Sequence, residues 1–156
     1  NLASVPDSDI RAMAVYLASF NDKALDRPAE DALAAQLESS TGAGMTRSSM
    51  GARIYKGACA VCHQVGGPML FGARPSLALN SNLHSATPDN LVQVVLHGID
   101  APVSSDLGYM PAFRNSLNDE QVAELVSYLR QQFAPDKTPW TDVAATVGKI
   151  RRMATP

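Results

Sequence analysis

Five residues, Cys59-Ala60-Val61-Cys62-His63, restrict what this chain can fold into more than any other stretch of it. Two thiols three positions apart can each form a thioether to one of the two vinyl groups on a haem edge. The adjoining imidazole then lies under the ring and can ligate the iron. C-x-x-C-H is the attachment sequence of a c-type haem. The chain holds 2 cysteines, and the motif uses both. Three other uses of the pair are weaker. A redox dithiol wants a strand–helix–strand setting, which nothing here suggests. A zinc site wants a second ligand pair at short spacing, and His84 and His97 lie too far apart for a finger. A structural disulfide would leave His63 without a role.

Composition fits a core completed by a prosthetic group. Aromatic residues make up only 6% of the chain, a shortage that one bound haem would offset with its own large apolar body. The formal net charge is −2 and no run of like charge occurs, so nothing argues for nucleic acid. No apolar run reaches transmembrane length. The chain begins at Asn1 with neither a start methionine nor a signal peptide, as expected of a mature, trimmed or partial chain. Its 156 residues amount to one to one-and-a-half domains.

Residues 6–20 are expected to be helical. Pro6 or Asp7 can start the helix, and Ile10, Met13, Ala14 and Leu17 form an apolar stripe. Residues 118–133 repeat that pattern at the same phase: Asp7 pairs with Asp119, Ile10 with Val122, Met13 with Leu125, Tyr16 with Tyr128 and Leu17 with Leu129. This is read as an internal repeat of one helix. Residues 1–20 are therefore the expected terminal helix of a preceding haem domain. Residues 21–45, with Pro28 and the small-residue run Ser39-Ser40-Thr41-Gly42-Ala43-Gly44, are the expected linker.

Thr46 is the expected N-cap of a helix reaching Ala58, with Met50, Gly51, Ile54, Tyr55 and Ala58 on one face. A glycine in mid-helix costs about 1 kcal/mol relative to alanine, so Gly51 suggests a closely crossing helix. The partner expected there is 118–133, through Leu125, Tyr128 and Leu129. Residues 66–77 are rich in Gly and Pro and are expected to form a loop. A ligating histidine needs its second ring nitrogen held by an acceptor. A loop carbonyl near Pro75 is the candidate, with Leu77 pressing on a haem face. Thr87-Pro88-Asp89-Asn90 caps a further helix, Leu91 to His97, which Gly98 ends.

Met110 is the expected sixth ligand, in a loop before the last long helix and stiffened by Pro111. Its thioether is a soft donor suited to low-spin haem iron. Core filling is the ordinary role of a methionine, and Met69, His84 and His97 compete for the position. After Phe133 a tail is expected to form a short helix capped by Thr141, with Val143, Val147 and Ile150 on one face and Lys149, Arg151 and Arg152 at a basic end. Packing on the protein is favoured for it, with a partner subunit or an anionic membrane surface as alternatives.

Residues 46–133 resemble a class I cytochrome c. The resemblance rests on Gly51-x-x-x-Tyr55, Cys59-x-x-Cys62-His63, Pro75-x-Leu77, Met110-Pro111 and Tyr128-Leu129. It implies an all-α fold around one covalently bound haem c, with His63 and Met110 as axial ligands and the first and last helices crossing at the glycine. Residues 134–156 follow as a C-terminal tail. The run from Met110 to Arg130, with Val95-Leu96-His97-Gly98-Ile99, is similar to the third haem domain of triheme cytochrome subunits of periplasmic dehydrogenases. That likeness implies electron transfer, from a dehydrogenase catalytic subunit and other haem domains to quinone, another cytochrome or an oxidase. It also implies a periplasmic location, because thioether attachment takes place outside the cytoplasm. A free-standing monohaem carrier and a haem enzyme or gas sensor with an open sixth site stand as alternatives.

Overall fold

A computed structural model describes residues 5–19, 49–63, 77–100 and 109–153, together with residues 32, 35 and 36. The chain forms two units, 1–35 and 36–156. In the first, helix α1 (Asp7–Ala18) starts at Pro6, as expected, with Asp7 and Asp9 in its first turn where the helix dipole favours negative charge. None of its residues is buried.

The second unit is all-α among the described residues, and it opens with one continuous helical run. Ser49 caps it, its side chain accepting a hydrogen bond from the Ala52 amide at 3.1 Å. Thr46, the expected cap, lies outside the described residues, and the helix begins four residues after it. The run comprises α2 (Met50–Ile54), a π-helical turn (Tyr55–Cys59) and α3 (Ala60–His63). The helix thus carries straight on through the attachment motif instead of ending at Ala58. A short 3₁₀ turn (Leu77–Leu79) and α4 (Ser81–His84) lead to α5 (Asp89–His97). Then come α6 (Asp119–Phe133) and α7 (Val143–Met153). α6 starts with a full capping box, in which the Asn118 side chain and the Gln121 amide, and the Gln121 side chain and the Asn118 amide, bond reciprocally.

The α2–α6 crossing follows from Gly51. A Cβ there would lie 2.2 Å from the Glu124 carbonyl oxygen and 2.7 Å from Tyr128 Cβ. No side chain larger than hydrogen fits without moving a helix. This is the contact expected from the mid-helix glycine, and Tyr55 extends it by packing its ring against Tyr128 and Phe133, at 5.6 and 5.5 Å between centroids.

The core joins Leu77, Leu83, the inner face of α5 (Leu91, Val92, Val95, Leu96), the inner face of α6 (Val122, Leu125, Val126, Leu129) and Val143, Val147 and Ile150 of α7. The tail helix packs on the protein, and its apolar face is spent there. Its first residue is Val143, two positions beyond Thr141. Arg130 is a buried charge held entirely by carbonyls. Its guanidinium donates to Leu83 O, to Ser85 O at 3.1 Å and to Thr138 O at 3.0 and 3.2 Å, beneath the Trp140 ring at 4.3 Å. The Trp140 indole N–H donates to the same Ser85 oxygen. No helix among the described residues is long and apolar enough to cross a membrane.

Candidate haem-binding site

The attachment motif sits on the last two turns of the α2–α3 run, which places Cys59 and Cys62 three residues apart on helical backbone. Both are free thiols. Burial, with a smaller contribution from Cys62, pushes the Cys59 thiol up to about 11, so it is neutral and apolar in character, not a reactive thiolate. The π turn that ends at Cys59 is a device found mostly at functional sites, because one extra residue per turn re-aims the side chains that follow. The end of the run is capped by a side chain. Tyr55 Oη donates to the His63 carbonyl at 3.2 Å, filling one acceptor that a helix end leaves open. Burial, then Tyr128 and Cys59, raise that phenol to about 12, so it stays a donor across the physiological range.

Met110 is fixed from the other side of the chain. Gly98 ends α5 with φ 70°, and its backbone lies so close to the Met110 segment that a Cβ would stand 2.4 Å from the Met110 carbonyl oxygen and 2.7 Å from the Ala112 amide. Beside it, Ile99 and Met110 form an isolated antiparallel bridge, with both N–H···O bonds made, at 2.9 and 3.2 Å. Two further amides of the segment serve the C-terminus of α5. Phe113 N–H donates to Val95 O and Arg114 N–H to Leu96 O. The loop therefore acts as the cap of α5, and α5 as the clamp of the loop.

These two parts meet in one apolar cleft. Cys59, His63 and Met110 line it together with Leu77, Asn80, Leu91, Val94, Val95, Phe113, Leu125 and Leu129. Two distant stretches of the chain thus bring a cysteine, a histidine and a methionine to one apolar slot. Such a donor set and wall suit a flat apolar ring fastened at one edge and ligated through nitrogen and sulfur. Of the expected site residues, Cys59, His63, Leu77 and Met110 line the cleft, and Cys62 lies on the adjoining helix. Pro75 and the competing Met69 lie outside the described residues. His84 is engaged elsewhere, its Nε2 within 2.7 Å of Ala78 O, and neither His84 nor His97 lines the cleft. Gly98 was expected only as a helix terminator, and its glycine-before-β-residue pattern carries no sign of the chain that packs on it. Phe113 likewise faces the cleft with no signal in its spacing, whereas Val94 follows Leu91 by one helical turn.

Comparison with known proteins agrees with this architecture. The family described as cytochrome c oxidase, cbb3-type, subunit III matches residues 47–129. The chain is 48% identical to one of the subunits of nicotinate dehydrogenase from Pseudomonas putida, over 96% of its own length and 12% of that protein's. It is 32% identical to the cytochrome c subunit of a quinone alcohol dehydrogenase of Gluconacetobacter polyoxogenes, over 96% of this chain and 32% of that one. A cytochrome c6 of Leptolyngbya boryana is 29% identical over 53% of this chain and 88% of its own. The chain thus spans less than a third of the length of the two dehydrogenase relatives, and its likeness to the short cytochrome covers about half of it. By the family match and the fold that accompanies it, the chain belongs to the cytochrome c family of the cbb3-type subunit III class.

Proposed function

We propose that this chain transfers electrons through one c-type haem, held by Cys59 and Cys62 and ligated by His63 and Met110, as the terminal haem domain of a longer multihaem subunit. The observation that carries this reading is the meeting of Cys59, His63 and Met110 in a single apolar cleft. When bound, such a haem supplies one-electron redox chemistry, at a potential that a thioether ligand raises. The chain's own residues do the positioning. Tyr55 holds the carbonyl of His63, Gly98 and Ile99 hold the backbone of Met110, and Leu77, Leu125, Leu129 and Phe113 keep water from the slot. With His63 and Met110 both holding the iron, a substrate would have no open place to react, and orientation and tuning would be what remain for the polypeptide to do.

The multihaem reading draws on α1. Its first residue, Asp7, pairs with Asp119 at the start of α6, so the two helices begin at matching positions. In α6 the matched residues Val122, Leu125 and Leu129 are at most 5% exposed, whereas in α1 Ile10, Met13, Tyr16 and Leu17 are between 37% and 66% exposed. A helix carrying a core-facing pattern of this kind fits the end of an earlier haem domain. Its electrons would come from a dehydrogenase catalytic subunit and pass to quinone, another cytochrome or an oxidase, in the periplasm. The similarity to a cytochrome c6 favours a second reading, a free-standing monohaem carrier.

Visible spectra of the reduced and ferric protein, for wild type and Met110→Ala, test the ligation. A low-spin ferric spectrum with a far-red sulfur-to-iron band that the variant loses is the expected result. A high-spin ferric spectrum unchanged in Met110→Ala would mean an open sixth site and a haem enzyme or gas sensor. The mass and the haem-to-protein ratio of the polypeptide from its natural source separate the two carrier readings.

A further inference from the structure

The family match ends at residue 129, and α7 begins at Val143, so the tail helix is an addition to the matched domain. Its last turn does more than fill the core. Arg151 reaches out of α7 to three acceptors on the segment that follows Met110: its guanidinium donates to the carbonyls of Arg114 and of Leu117, the latter at 2.8 Å, and to the Asp119 carboxylate. Arg114 answers, its Nη2 donating to the Arg151 carbonyl at 2.7 Å and so capping the C-terminus of α7. Between these contacts the chain makes one tight turn, with the Ser116 and Leu117 amides both on Phe113 O.

The Met110 segment is therefore fastened at two points. Upstream, the Ile99 bridge and Gly98 hold Met110 itself. Downstream, Phe113 and Arg114 hang on the α5 carbonyls, and Arg151 closes the turn behind them. A planar guanidinium can serve several acceptors at fixed angles, which a lysine ammonium cannot. Arg151 is partly shielded, with its side chain 23% exposed, so these charge-assisted bonds are only partly screened.

We propose that Arg151 is a positioning residue for Met110: the tail helix latches the ligand loop through Arg151 and Arg114, and sets how firmly the sulfur is held over the haem. This rests on the Met110 ligation proposed above. The latch gives one residue of the basic last turn a role inside the domain. Of that turn, Arg152 and the preceding Lys149 are exposed, while Arg151 is folded onto the loop.

The test uses the haem-loaded chain with Arg151→Gln, Arg151→Lys and Val147→Ala, the last weakening the α7 packing without touching the latch. Three quantities are read: hydrogen exchange of the Phe113 and Arg114 amides, the midpoint for thermal loss of the far-red band against global unfolding, and the rate at which imidazole enters the ferric site. In Arg151→Gln the two amides are expected to exchange about tenfold faster while the other α5 and α6 amides keep their protection. Imidazole enters faster by a similar factor, and the far-red band bleaches well below global unfolding. Arg151→Lys restores part of each effect, and Val147→Ala lowers both midpoints together with no change in imidazole entry. Parallel loss of both midpoints in Arg151→Gln, with amide exchange and imidazole entry unchanged, would overturn the latch. Should Arg151→Gln fail to fold, Asp119→Asn removes the carboxylate partner alone and takes the same readouts. If wild type has no far-red band, the ligation reading has failed. Faster exchange in Arg151→Gln would then leave a latch on a loop without a ligand, and the positioning role would fall with it.

Discussion

At Gly98 one hydrogen atom is all that the space allows. The residue has φ 70°, and the Met110 carbonyl is 2.4 Å from where a methyl group would stand. Gly98→Ala combines a left-handed backbone with a collision against main chain, and is expected to cost about 3 kcal/mol or more. It should also weaken the far-red band of the ferric protein; a urea melt and a spectrum check both. Tyr55→Phe makes a gentler change. The ring contacts with Tyr128 and Phe133 remain and the hydrogen bond to His63 O is lost, so a urea midpoint equivalent to about 1 kcal/mol lower is expected, with the visible spectrum unchanged. A larger loss, or a shift in the spectrum, would show that the hydroxyl orients the histidine and does not merely cap its helix.

Two glycines of the first helical run make a paired test of that element. Helices rise about 1.5 Å per residue, so Gly51 and Gly57 lie about 9 Å apart along the run, in different surroundings. At Gly51 a Cβ meets the Glu124 carbonyl, whereas at Gly57 nothing among the described residues lies within 4 Å. Gly51→Ala should lower the unfolding free energy by about 2–4 kcal/mol, because α2 and α6 must part. Gly57→Ala should raise it by about 0.5–1 kcal/mol through helix propensity alone. Opposite signs in chemical denaturation are the expected outcome. The contrast also shows what a reader of the sequence can and cannot extract. Gly51 is legible because it interrupts an apolar face, and the partner helix is legible because its own stripe is complete. Helix ends at Pro6, Asn118 and Gly98 are legible for the same local reason, a capping residue beside a periodic run. The π turn is not, since Tyr55 to Cys59 has the composition of any helix. Nor is the latch, whose parts Arg114 and Arg151 are 37 residues apart and read separately as loop and basic tail.

Within the second unit, a buried cation ties late elements to earlier ones. Arg130 joins the end of α6 to the carbonyls of Leu83, Ser85 and Thr138, and of these the Ser85 oxygen also receives the Trp140 indole N–H. Arg130→Met should cost about 2–4 kcal/mol by taking the guanidinium donors from the Leu83 and Thr138 oxygens, and Arg130→Lys should recover little, for want of a fork. Thermal unfolding of the two variants side by side is the check. The Ile99–Met110 bridge has a different consequence. It pins Ile99 and Met110 to each other, so the two ends of the connection between them are held at a fixed separation. The closure entropy of a longer connection between these two fixed ends costs about 0.6 kcal/mol for each doubling of its length. On the Met110 ligation proposed above, a peptide grafted into this connection is expected to leave the far-red band of the ferric protein in place.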